Sequence, residues 1–339
     1  MRALLIGPEN PHFAGHLRTL QALPEVEAIT VCAAPGERAL AEEALGAQKV
    51  DAISDDLGAC LAAPGLGFII ASPRVDRALA LTGRALDVGV PVLAEKPLGR
   101  NAAEADALVA RAKASGAPLG IAYLNRFNPA VAAARDFVAQ GLLGDLMAVE
   151  LRYFTTQPRF RDPAHWLFRK SIAGGGVLQW LGCHYLDIAQ FVTGEAITAL
   201  QGALATRSGE PIDVEDVATV QLRFASGAIG SLACGYVLAQ SGGGYYNPGG
   251  NDTYLCFVGR LGRVWWRPAQ TPLTVSFESV HPAWADAPRR TVSYELPDSP
   301  AYGGTFGIAF TRRCLLGQPP ATGEDAARVA HLLEGVYNA

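Results

Sequence analysis

The sequence holds no apolar run approaching the roughly 20 residues that a membrane helix requires, and no block of one charge sign. Its 28 Lys and Arg are interspersed with 32 Asp and Glu, giving a formal net charge of −4. The first absence leaves no helix to span a bilayer. The second leaves no polycationic surface to neutralise phosphates, so nucleic acid and membrane are not expected partners. Paired cysteines are missing as well: Cys32, Cys60, Cys183, Cys234, Cys256 and Cys314 stand singly, mostly among apolar neighbours. Without a C-x-x-C spacing there is no zinc or disulfide framework to read, and no metal site is expected. The pattern fits reduced, buried thiols acting as small hydrophobes. Cys183 adjoins His184, but neighbouring helix positions point about 100° apart, so the two do not face each other as nucleophile and base. There is no internal repeat and no low-complexity tail. The opening MRALLIGP reads as a short strand rather than a secretion signal, and a cytoplasmic location is the expectation.

What is present is apolar substance in two rhythms. Half of the 339 residues are hydrophobic, too long a chain for one ordinary core and suited to two domains. In the first third, short β-branched runs alternate with amphipathic stretches: RALLIG with FAGHLRTLQAL, EAITVCA with GERALAEEALG, LGFIIAS with RVDRALALTGRALDVG, PVLAEK with NAAEADALVARAKASG, then PLGIAYL. Strands and helices of these lengths predict right-handed βαβ units and a Rossmann-type parallel sheet. Ligands of such sheets sit beyond the carboxyl ends of the strands, which places Gly7, Ser72 and Lys96 on one rim.

From about Leu146 the pattern alternates or runs apolar, with turns at Ala225 to Gly227 and Gly259 to Gly262. This predicts a large, mostly antiparallel open sheet, interrupted by a helix after Gly174 and closed by two C-terminal helices. The Gly-rich QSGGGYYNPGGND, with Tyr245 and Tyr246, reads as an exposed loop or interface arm.

Two stretches carry candidate chemistry. LAEKPLGRN delivers Glu95 and Lys96 to the end of a strand, and Pro97, with no N–H to donate, stops the ladder. GGGVLQWLGCHYLD is a glycine turn that launches a helix, on which Trp180, His184 and Asp187 share one face at i, i+4 and i+7. A lone histidine on an apolar helix is either a hydrogen-bonded core residue or a proton carrier, and the helix by itself does not decide.

Glu-Lys-Pro after a parallel strand, IIASPRVD, YLNRFNPA, GGGVLQWLGCHYLD, VEDVATVQLRFASGAIGSL and GQPPATGEDAARVAHLLEGVY occur in this order over nearly the whole chain. Together they resemble the glucose-fructose oxidoreductase, inositol dehydrogenase and rhizopine catabolism family. The resemblance implies a nucleotide-binding domain over 1–123 that takes NAD or NADP, and a substrate-binding and oligomerisation domain over 124–339. It implies a sugar, sugar derivative or cyclitol as substrate, held between the domains, and a homo-oligomer formed through the C-terminal sheet. The family's lysine falls on Lys96 and its helical histidine on His184, the expected catalytic pair. During hydride transfer a hydroxyl must lose a proton, which neutral imidazole accepts near pH 7 while an ammonium stabilises the oxygen. Gly7, Asn10, Phe13, Ser72, Pro73, Arg74, Glu95, Lys96 and Trp166 are the expected cofactor contacts. Lys96, Arg126, Arg169, Trp180 and His184 are the expected substrate contacts.

The chain departs from the family pattern in three places. Trp180 stands where relatives carry an aspartate four residues before the histidine; it offers a flat ring for stacking on a sugar, or plain packing. Asp187 is a substitute orienting group or a helix-surface ion pair. The loop GPENPHFAGH keeps only the first glycine of G-x-G-x-x-G. After the second strand, Ala33 and Ala34 occupy the place of the acid that binds the adenosine ribose, while Arg38 faces a 2′-phosphate or solvent. Asn128 lines the cleft or caps a helix, and His165 and Tyr236 are further candidates for the substrate side. Two alternatives to a dehydrogenase remain open on the residues: a catalytically silent relative that binds a sugar or a protein partner, and an enzyme using retained NAD for elimination or glycoside cleavage without net redox.

Overall fold

The computed structural model describes residues 1–34, 36–42, 44, 46–239, 250–297 and 299–338. Two α/β units emerge from the pattern of contacts: Met1–Phe127 with Pro297–Ala330, and Asn128–Leu296 with His331–Ala339.

A parallel sheet is covered by helices on both faces, so its strands must be apolar throughout rather than alternating. The first unit meets that demand with β1 (Arg2–Ile6), β2 (Ala28–Cys32), β4 (Leu66–Ala71), β5 (Val92–Ala94) and β6 (Leu119–Ile121), almost all of whose residues are buried. A further strand, β3 (Val50–Ser54), pairs with β2. Its sequence VDAIS carries few apolar residues and stays half-exposed at one edge of the sheet, whereas the other edge, β6, is buried and bridged at Gly120 by Thr322. The order β3-β2-β1-β4-β5-β6 is all-parallel, the doubly wound arrangement whose strand order reverses between β1 and β4. The intervening helices are α1 (Phe13–Ala22), α2 (Arg38–Glu42), α3 (Leu57–Leu61), α4 (Val75–Leu86) and α5 (Ala102–Ser115).

Gly7 closes β1 at φ +89, and an added Cβ would fall on the Ser72 carbonyl and Pro73, so only glycine fits the switch between β1 and β4. The C-terminal segment returns to this unit, where α9 (Thr305–Leu315) packs on α1 and β5.

The second unit holds an eight-stranded sheet of order β14-β13-β12-β11-β7-β10-β9-β8. Its strands are β7 (Leu146–Thr156), β8 (Ile197–Ala205), β9 (Val217–Phe224), β10 (Ile229–Leu238), β11 (Asp252–Gly259), β12 (Gly262–Trp266), β13 (Leu273–Ser279) and β14 (Arg289–Tyr294). All pairs are antiparallel except β7 with β10.

Strict alternation of buried and less buried residues in β9 and β13 follows from covering one face only. That face packs against α6 (Pro129–Ala139), α8 (Cys183–Thr193) and the turns leading into α8. Across the other runs a trough of about 640 Å³ lined by Ala148, Gln221, Ile229 and Val258. Ile229 there is 60% exposed. The final helix, α10 (Gly323–Tyr337), is shared between the units. Tyr245 and Tyr246 lie outside the described residues. No described helix is long and apolar enough to cross a membrane.

Candidate active site

In the first unit the end of β5 is a knot of buried charge. Glu95 donates its backbone N–H to the Ala71 carbonyl (2.9 Å), extending the ladder by one residue. Its carboxylate meets His16 Nε2 at 2.7 Å and His12 Nδ1 at 3.1 Å, and accepts from the Tyr302 hydroxyl at 3.0 Å and the Lys96 backbone N–H at 3.0 Å. Tyr302 stacks on His12, with centroids 4.3 Å apart, and meets His16 edge-on at 5.1 Å. Gly15 makes this possible, since a Cβ there would collide with Tyr302.

Burial pushes the Glu95 carboxyl up, but the charge and hydrogen bonds of His12 and His16 outweigh it and hold the group well below the ordinary value. Burial lowers His12, against the pull of Glu95. The stiff loop that lost its glycines has therefore gained the residues that hold Glu95. His12, His16 and Tyr302 were absent from the expected site. A pair of histidines at i, i+4 opening a helix was the one local signal; Tyr302 gave none.

Lys96 follows at the strand end, 1% exposed, before a cis peptide to Pro97. Asn10 accepts the His12 backbone N–H (2.9 Å) and shapes the loop into α1, where Phe13 is the first, buried residue. The Ser72 hydroxyl donates to the Ile6 carbonyl at 3.0 Å, tying β4 to β1, and Pro73 lies against Gly7. Arg74 is already bidentate to Asp76, at 2.7 and 3.0 Å. Arg126 is bound to Asp325 at 3.1 Å and to the Pro320 carbonyl at 2.7 Å. Arg38 is exposed and paired with Glu42.

Beyond the ends of β1 and β2 lies a cavity of about 440 Å³, walled by Gly7, Cys32, Ala34, Glu37, Asp55 and Arg84 among others. No acid follows β2 directly, but Glu37 turns back over it: its N–H donates to the Ala34 carbonyl (2.9 Å) and its carboxylate accepts from the Ala34 N–H (3.3 Å).

In the second unit the helix carrying His184 starts from a glycine turn locked by an acid. Glu215 accepts from the Gly176 N–H (2.7 Å), the Leu178 N–H (3.0 Å) and the Tyr337 hydroxyl (2.7 Å). Gly176 is packed so closely that a Cβ would fall on the Glu215 carbonyl. Burial pushes the Glu215 carboxyl up, and these neutral donors offset it only in part.

The first turn, Leu178–Gly182, is π-helical and passes into α8, a local widening often found at functional sites. Trp180 on that turn is buried and packs edge-to-face on Trp166 at 5.5 Å. His184 is half-buried. Asp187 is fully buried, so it is no surface ion pair. Arg169 donates to the Pro211 carbonyl (2.7 Å), Asn128 caps α6 through the Ala130 N–H (2.9 Å), and His165 accepts the Leu167 N–H (3.2 Å). Tyr236 is buried against Phe168.

The expected residues thus gather in two groups. Gly7, Asn10, Ser72, Pro73, Glu95 and Lys96 line the strand ends of the first unit. Trp166, Trp180 and His184 belong to the second. Among the described residues no cluster of three His, Cys, Asp or Glu is placed to hold a metal ion.

Residues 131–264 match the family model of the GFO/IDH/MocA C-terminal domain. The chain is similar to levoglucosan dehydrogenase of Pseudarthrobacter phenanthrenivorans, 31% identical over 173 residues, which are 44% of each chain. It is also similar to D-apiose dehydrogenase of Paraburkholderia graminis, 27% identical over 227 residues, 67% of this chain and 58% of that one. The chain thus spans about half the length of these relatives. Among solved structures, a levoglucosan dehydrogenase in complex with NADH and levoglucosan superposes with a TM-score of 0.83 at 20% identity, covering 100% of this chain and 96% of that one.

Proposed function

We propose that the chain, whose residues 131–264 match the GFO/IDH/MocA C-terminal domain, is a member of that family and an NAD(P)-dependent oxidoreductase. Its substrate is a hydroxyl of a sugar, sugar derivative or cyclitol. The observation that carries the reading is Lys96: a lysine side chain buried at the carboxyl end of β5, whose backbone N–H is held by a carboxylate that is itself held by three side chains. Burying a lysine is costly unless it is partnered and used.

The first unit suits a dinucleotide. Gly7 leaves the switch point without a side chain, and the cavity beside it opens at the ends of β1 and β2. When bound, the nicotinamide supplies the carbon that takes or gives hydride. Gly7, Asn10, Phe13, Ser72, Pro73, Arg74, Glu95, Lys96 and Trp166 are assigned to the cofactor. Lys96, Arg126, Arg169, Trp180 and His184 are assigned to the substrate.

Glu95 holds the Lys96 backbone, so the ammonium starts from a fixed strand end. Lys96 stabilises negative charge on the reacting oxygen. His184 takes the hydroxyl proton in oxidation and returns it in reduction. We take 1–123 as the nucleotide-binding part and 124–339 as the part that binds substrate and self-associates through the open sheet face, and place the protein in the cytoplasm.

The test is dihydronicotinamide absorbance with a panel of sugars and polyols. Lys96→Met and His184→Ala should each lower turnover by roughly 100-fold or more. Full activity in His184→Ala removes that residue from the reaction, and no turnover with any polyol and either dinucleotide removes the reading.

A further inference from the structure

We infer that Cys32 and Cys60 form a dithiol site that hydrogen peroxide converts to a disulfide at the wall of the cavity beyond β1 and β2. The effect of that bond on a nucleotide rests on the reading of the first unit as dinucleotide-binding.

The two cysteines come together through the edge of the parallel sheet. Cys32 ends β2, where its partner in register on β3 is Ser54. The chain then turns at once. The Ser54 hydroxyl accepts the Asp56 N–H at 3.1 Å, Asp56 caps α3 through the Ala59 N–H at 3.0 Å, and α3 packs back on β2. Both cysteines are buried, and their thiols face each other. The Cys32 S–H donates to the Cys60 sulfur, which also accepts from the Ser54 hydroxyl. These donors outweigh burial and the nearby Asp56 carboxylate and lower Cys60 below the ordinary thiol value, while the same contact and burial raise Cys32. Elsewhere the balance is reversed: burial pushes Cys234, Cys256 and Cys314 up.

Access comes from the cavity of about 440 Å³, which is walled by Cys32 together with Asp56 and Leu57 and admits a molecule little larger than water. The Cys60 thiolate attacks one peroxide oxygen. An S–O bond forms as the O–O bond breaks, and the leaving hydroxide takes up the proton that Cys60 released. Cys32 then attacks the Cys60 sulfur and gives up its own proton. The S–S bond forms, the S–O bond breaks and a second water leaves, so two electrons pass from the sulfurs to the peroxide. The five-residue α3, beside a half-exposed edge strand, yields more readily than β2 as the sulfurs close. Its shift carries Asp56 and Leu57, and with them the cavity wall.

The experiment treats the reduced full chain with a small excess of hydrogen peroxide, counts thiols in denaturant and maps peptides without reduction. It is run on the wild type, Cys32→Ser and Cys60→Ser, with thermal melting to establish that each is folded. The wild type should fall from six thiols to four, with a cross-link joining Cys32 to Cys60 that dithiothreitol reverses. Cys32→Ser should stop at a sulfenic acid on Cys60 that dimedone traps, and Cys60→Ser should lose the Cys32 thiol roughly 10-fold more slowly. Six thiols retained, a cross-link through any other cysteine, or wild-type Cys60 carried to sulfinic acid with Cys32 still free would overturn the inference. NADH titration of the oxidised and re-reduced chain reads the cavity. Oxidation should weaken binding roughly 10-fold, and equal affinities would overturn the effect on the cavity. Binding of NADH by neither form overturns the dinucleotide reading and leaves the thiol pair standing.

Discussion

Glu95 and Glu215 are the same residue type, each buried beside a candidate catalytic element, and although burial pushes both carboxyls up, their net shifts have opposite signs. Around Glu95 the donors include two imidazoles, groups able to carry positive charge, and the carboxylate is held well below its ordinary value. Around Glu215 the donors are two amides and a phenol, which stay neutral, and burial wins. The sign of the shift is thus set by whether the partners can be charged, not by depth or by the number of hydrogen bonds.

The first way to break this contrast is to remove each charge in place. Glu95→Gln leaves His12 and His16 against a neutral amide and should cost roughly 3–5 kcal/mol, the usual loss when one partner of a buried pair is removed; denaturant unfolding measures it. Glu215→Gln, at a site where burial weakens the charged form, should cost less than about 1.5 kcal/mol in the same measurement. Equal costs would erase the distinction.

pH sharpens it. Glu95 is lowered from 4.5, so its stabilisation is complete above that value and lost as pH falls through the folded one. His12 is lowered from 6.5 by burial and adds to the loss on acidification below that point. Glu215 is raised from 4.5, so its contribution is full below that value and is lost as pH rises through the folded one. Unfolding followed below pH 4.5 should therefore lose its acid-side slope in Glu95→Gln, whereas above pH 4.5 Glu215→Gln should lose a decline towards neutral pH.

The smallest effect belongs to Tyr337→Phe. Deleting the hydroxyl that donates to Glu215 and accepts the Gln179 N–H should cost about 1 kcal/mol in unfolding free energy.

How far these features were legible in the sequence follows from their range along the chain. Continuous apolar runs announced β1, β2 and β4 to β6, and Pro97 marked where β5 must stop, because both signals are local. The edge strand β3 was not anticipated, since VDAIS lacks the continuous apolar run of the buried strands. Trp180, His184 and Asp187 were read at α-helical spacing, whereas the helix begins with a π turn whose wider hydrogen bonding leaves no mark on residue order.

An acid was sought at Ala33 and Ala34, where none stands, and the return of Glu37 over Ala34 by a glycine turn left no local signal. Tyr302 was invisible, being 207 residues from the carboxylate it serves. Glu215 lay in a recognised motif, but its hold on Gly176 and Tyr337 is tertiary. Lys96, His184 and their assigned partners were chosen from strand ends and resemblance, and the described geometry adds which of their polar groups are already engaged.

Tyr302 reaches Glu95 across 207 residues, and the stretch between them includes nearly all of the second unit. On a ribosome the Glu95 carboxylate therefore stays one donor short, and β5 lacks α9, until that stretch has emerged. The first unit cannot close before the chain of the second has been made.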